Sequence, residues 1–107
     1  MLVMSCDKYQ DVVSSFCSSF EKFWPNSEFD RFLVSETIDS AASSKVFQHK
    51  IFVGNGLDWM GRLNLALQQI QADYILLLCD DYFLVAPYED KEIRKSLIVK
   101  RVIKEIF

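Results

Sequence analysis

Apolar positions along this chain recur at two spacings, and the alternation between them divides it into strands and helices. Leu2-Val3-Met4-Ser5 is a run of strand character, followed by Cys6-Asp7-Lys8, in which Asp7 is placed to cap what comes next. Val12, Val13, Phe16, Phe20 and Phe23 then recur at helical spacing, and Trp24 closes the stripe before Pro25 stops the helix. Phe29 to Ser35 reads as a second strand, and Glu36 to Ser44 has the Ser, Asp and Thr content of a loop. Ile51-Phe52-Val53 is a third, short strand that ends at Gly54-Asn55-Gly56. Asp58 is a candidate N-cap for a helix carrying Trp59, Leu63, Leu67 and Ile70 on one face, thickened by Leu65 and Ala66. Within Tyr74 to Leu84 an apolar run of strand length ends abruptly in two adjacent carboxylates, Asp80 and Asp81, and reads as a buried fourth strand that delivers acidic side chains to the edge of a sheet. Val85 to Tyr88 is a connection, and Glu89 to Phe107 reads as a last helix, acids first and bases later, with Ile93, Leu97, Ile98, Val102, Ile106 and Phe107 on a broad apolar face.

The expected order is β-α-β-β-α-β-α over a single domain, residues 1–107. Strands separated by covering helices imply right-handed crossovers and an open, mostly parallel sheet of the α/β class. The first strand is then central, and its end shares a crevice with the end of the fourth, which brings Asp7 near Asp80 and Asp81. Burying a carboxylate beside so much apolar surface costs several kcal/mol, on the order of what an unpaired buried charge costs, unless it is hydrated, hydrogen-bonded or paired with a cation. Two readings of the pair stay open: a metal site at the strand's carboxyl end, or a turn in which Asp80 caps and Asp81 is solvated.

Composition narrows the function classes. With 12 basic and 15 acidic residues the net charge is -3, so there is no general attraction to nucleic acid or to an anionic membrane, and a phosphate ligand needs a local cation. Arg62, in the first turn of the second helix, is that candidate. Cys6, Cys17 and Cys79 form no C-x-x-C pair, which fits a reducing cytoplasm better than a disulfide framework. No apolar run approaches the ~20 residues of a membrane span. The basic amphipathic C-terminal helix keeps open a peripheral association with the inner face of the membrane, or homo-oligomerisation through that helix.

P-loop, dinucleotide-binding and nucleophile-elbow motifs are all missing. His49 is the single histidine, and no nucleophile stands beside it in the sequence. What remains is carboxylates at strand ends with one arginine, a set suited to a metal-bridged diphosphate: Mn or Mg needs only one or two protein carboxylates when the substrate supplies the rest.

Asp58-Trp59, Arg62-Leu63, Leu67, Ile70 and Asp73-Tyr74-Ile75-Leu76-Leu77-Leu78, ending in Asp80-Asp81-Tyr82-Phe83-Leu84, resemble bacterial polysaccharide-synthesis glycosyltransferases of the GT-A fold. Cys6-Asp7-Lys8-Tyr9 and Phe23-Trp24-Pro25 are similar to the opening of the same proteins. The resemblance implies a Rossmann-like, nucleotide-diphospho-sugar-binding half, with Asp7 near the base or ribose and Asp80 with Asp81 at a divalent metal, Mn or Mg, and the diphosphate; Arg62 is added as a phosphate contact from its place in the helix. It implies a nucleoside-diphosphate sugar as donor and a glycan as acceptor. The family's usual motif is Asp-x-Asp, whereas here a cysteine occupies the first position of Cys79-Asp80-Asp81, which leaves one carboxylate to carry most of the metal binding. The family's acceptor half follows the acidic motif, so the chain is expected to be the donor-binding part, truncated and without an assignable catalytic base. A receiver-like signalling domain and a non-catalytic assembly module are the alternatives.

Overall fold

The structure, a computed structural model, describes residues 1–94. Four strands, β1 (Leu2–Met4), β2 (Phe32–Ser35), β3 (His49–Phe52) and β4 (Leu77–Cys79), form one open sheet in the order β3-β2-β1-β4. Every pairing is parallel, with Val3 opposite Leu33 on one side and Leu78 on the other. The chain is therefore α/β, and β1 is interior as expected. The helices are α1 (Gln10–Phe23), α2 (Trp59–Gln68) and α3 (Asp90–Arg94).

Alternation along β1 explains both faces of the sheet. Val3 points to a cluster built by Val13, Phe16, Cys17, Phe20 and Trp24 of the α1 segment, together with Leu33, Val46 and Phe47. Leu2 and Met4 point the other way, onto Val34, Ile51 and the α2 residues Leu63 and Ala66. A parallel sheet covered on both faces needs strands that are apolar at every position, which Leu2-Val3-Met4 supplies. The α1 stripe packs as its spacing predicts, with Cys17 added to it and Val12 and Phe23 only half-buried. Asp58 caps α2: its Oδ1 accepts the Gly61 amide at 2.8 Å.

Several boundaries differ from expectation. The second strand starts at Phe32, because Phe29 to Arg31 are taken up in a loop where Arg31 Nε donates to Val46 O and its Nη1 to Ser27 O and Phe29 O. The loop after β2 contains a 3-10 turn, Ala41–Lys45, that passes over α1. The third strand is His49–Phe52, shifted two residues towards the N-terminus at its start and one at its end, and Gly54, at φ 76°, turns the chain away. The largest correction concerns Tyr74 to Leu84. Only Leu77–Cys79 pair, and that strand is an edge among the described residues, half-buried throughout rather than enclosed. Past Cys79 a turn leaves the sheet, and residues 81–88 run as an irregular strap along α1. The predicted final helix is described only over Asp90–Arg94; its proposed apolar face beyond Ile93, and any membrane or oligomer contact through it, lie outside the described residues. Among the described residues no helix is long and apolar enough to cross a membrane.

Candidate functional site

The order β3-β2-β1-β4 reverses direction at β1: the chain steps outward through β2 and β3, then returns to the opposite side of β1 with β4. In open α/β sheets the carboxyl ends of strands flanking such a reversal form the ligand crevice, because the loops that follow diverge to opposite faces there. Ser5, Cys6 and Asp7 leave β1 at that point, and Asp80 and Asp81 leave β4 beside them. The Asp80 amide continues the ladder by donating to Met4 O at 3.2 Å, and the Tyr82 amide closes a turn on Cys79 O at 3.1 Å.

The two carboxylates of this turn face different surroundings. Asp80 is buried and accepts the Ser5 hydroxyl on Oδ2 at 2.7 Å, a bond across β1 and β4. Burial raises its carboxyl above the ordinary carboxylate value; the Ser5 hydrogen bond works in the opposite direction and the neighbouring Asp81 charge adds to the rise. Asp81 is exposed. The partner that a buried Asp80 requires is thus Ser5, which the sequence pattern marks only as the end of a strand. Its signal was available, since Ser5 is the single polar position of the first strand run.

Asp7 stands at the same end of the sheet but turns towards β2, away from β4. Its Oδ1 accepts the amides of Thr37 and Ile38, both at 2.9 Å, while its Oδ2 accepts the Thr37 hydroxyl. The Asp7 amide in turn donates to Glu36 Oε1 at 3.0 Å. These donors, led by the Thr37 hydroxyl, hold the Asp7 carboxyl below its ordinary value. Asp7 therefore clamps the loop after β2; it does not cap the helix after β1, where no side-chain cap is formed. Gln10 tightens the same rim, with Nε2 donating to Cys6 O at 3.0 Å and to Ser35 Oγ at 3.3 Å.

Arg62 lies one turn into α2. Its Nη1 donates to Leu57 O at 3.1 Å, and its Nε is buried with no hydrogen-bond partner among the described residues. A buried donor left unpaired costs roughly 1–3 kcal/mol. Among the described residues no group of three or more His, Cys, Asp or Glu side chains could hold a metal ion. The acid turn offers two adjacent carboxylates, one of them already bonded to Ser5. Such a donor set fits a hard cation brought largely by phosphate and water, and it does not make a protein cage. In comparison with known proteins, no family model, curated protein or solved structure matches this chain.

Proposed function

We propose that this chain is the donor-binding part of a glycosyltransferase that takes a nucleoside-diphosphate sugar and serves transfer to a glycan acceptor. The observation that carries the reading is the position of the acid turn, Cys79 to Tyr82, beside the end of β1 where the strand order reverses. Three features support it. Asp81 is exposed and Asp80 lies next to it, which supplies one or two carboxylates for Mn or Mg. Arg62, near the start of α2, carries a guanidinium suited to an anionic oxygen, and its buried Nε has no partner among the described residues. Asp7 fixes the loop at Thr37 and Ile38 at the same end of the sheet, which would give a nucleoside a defined wall.

When bound, the metal would neutralise charge developing on a departing nucleoside diphosphate. The chain's own residues would bind and orient: Asp81, beside an Asp80 fixed by Ser5, would hold the cation, and Arg62 would take a phosphate oxygen. Titration calorimetry of the chain with UDP tests this. Binding is expected in the presence of Mn and is weakened at least about tenfold by Asp81→Asn, in line with the sensitivity of metal sites to their carboxylates. Absence of heat with every nucleoside diphosphate, with or without metal, overturns the reading.

A further inference from the structure

The serines of α1 show how a hydroxyl is ordinarily satisfied within a helix. Ser14, Ser15 and Ser18 each donate to the carbonyl four residues back, Gln10 O at 3.4 Å, Asp11 O at 3.4 Å and Ser14 O at 3.2 Å. Ser19 departs from this pattern. Its Oγ accepts the Leu84 amide at 2.7 Å and donates to the Leu84 carbonyl at 3.3 Å, a reciprocal pair spanning 65 residues of sequence.

Leu84 lies in the middle of the strap formed by residues 81–88, which has neither helix nor strand. The strap leaves β4 at the acid turn and is next fixed where the Tyr88 amide donates to Phe23 O at 2.8 Å. Much of it projects into solvent, with Tyr82, Phe83 and Val85 exposed by 57%, 47% and 88%. Beneath it is an apolar cleft of about 180 Å³, floored by Phe16, Phe20, Leu76 and Leu78 and walled by Phe83 and Leu84.

We propose that Ser19 is a latch: when its pair of bonds to Leu84 breaks, the strap opens as a unit between the acid turn and Tyr88, uncovering the apolar cleft while the sheet stays paired. Apart from Leu84, which is half-buried against the α1 cluster, the strap buries little apolar area, and its centre is hydrogen-bonded through one side chain, so it opens at a lower free energy than the core strands. Asp81 is at the root of this strap, whereas Asp80 is held to β1 by Ser5, so opening separates the surroundings of the two carboxylates. The inference stands on the latch geometry and holds whether or not the site takes a nucleotide.

Residue-resolved amide hydrogen exchange on the full chain tests it with wild type, Ser19→Ala and Ser19→Thr. Ser19→Ala is expected to speed exchange at Leu84 roughly tenfold, the effect of losing hydrogen bonds of ordinary strength, with the amides of β1 and β2 unchanged. Ser19→Thr, which keeps the hydroxyl, is expected to restore protection. Equal protection of Leu84 in wild type and Ser19→Ala overturns the latch. So does acceleration spread evenly over β1 and β2, which would report global destabilisation, or exchange in Ser19→Thr as fast as in Ser19→Ala.

Discussion

Two carboxylates at the same end of the sheet are pushed in opposite directions, and stability should follow pH oppositely for each. Asp80 is raised by burial. As pH climbs through the ordinary carboxylate range the unfolded chain ionises first, so stability is lost until the folded-state value is passed. Asp80→Asn removes that loss, and its melting temperature should exceed that of wild type at pH 7, with the gap closing as pH falls below the carboxylate range. Asp7 is lowered by the Thr37 hydroxyl and amide. It contributes stability above the unfolded value that disappears as pH falls through the folded one, so Asp7→Ala should melt lower than wild type at pH 7 and converge with it in acid. Paired thermal scans of the two variants check both signs. Cysteine chemistry divides in the same way. Burial, with Glu21 nearby, pushes the Cys17 thiol up to about 11, so a thiol reagent at pH 8 should label Cys6 first and reach Cys17 only on unfolding.

Among the elements, α2 and the approach to β2 depend on few residues. Leu63 is 1% exposed between α2 and the sheet, and Leu63→Ala should cost about 2–5 kcal/mol in chemical denaturation, the range for a deeply buried leucine. Asp58→Ala, which removes the α2 cap at Gly61, should cost about 1 kcal/mol. Arg31 is a different kind of anchor. Its guanidinium donates to the carbonyls of Ser27, Phe29 and Val46 and lies 5.3 Å from the Phe20 ring centroid, so it ties the entry of β2 to the loop before β3 and to α1. Lysine cannot reproduce a fork that serves several acceptors at once. Arg31→Lys should therefore still lose roughly 1.5–3 kcal/mol, the strength of a charge-assisted hydrogen bond.

At the scale of the molecule, the carboxyl end of the sheet is assembled from segments far apart in sequence. Ser5 meets Asp80 across 75 residues and Asp7 meets Thr37 across 30. A ligand that binds only this assembled state must stabilise the fold by mass action. UDP with Mn at 100 times its dissociation constant should add about 2.7 kcal/mol to unfolding free energy, visible as a thermal shift absent from Asp81→Asn under the same conditions.

Much of this architecture was legible in the residues alone. Most of the helical stripe from Val12 to Trp24, the cap at Asp58, the interior placement of Leu2-Val3-Met4 and the parallel α/β order follow from local periodicity and capping, which are properties of neighbouring positions. The prominence of Asp80 was legible too, since a carboxylate at the end of an apolar run must find a partner. Tertiary structure decided which partner. A hydroxyl on the first strand serves Asp80 and an amide pair after the second strand claims Asp7, because parallel pairing sets β1 between β4 and β2 and register fixes who stands opposite whom. It also decided that the apolar run around the acids pairs over three residues, since β4 lies at a sheet edge among the described residues and the residues beyond Cys79 pack on α1 instead. Periodicity reports that a side chain will be buried; only the packed chain determines against what.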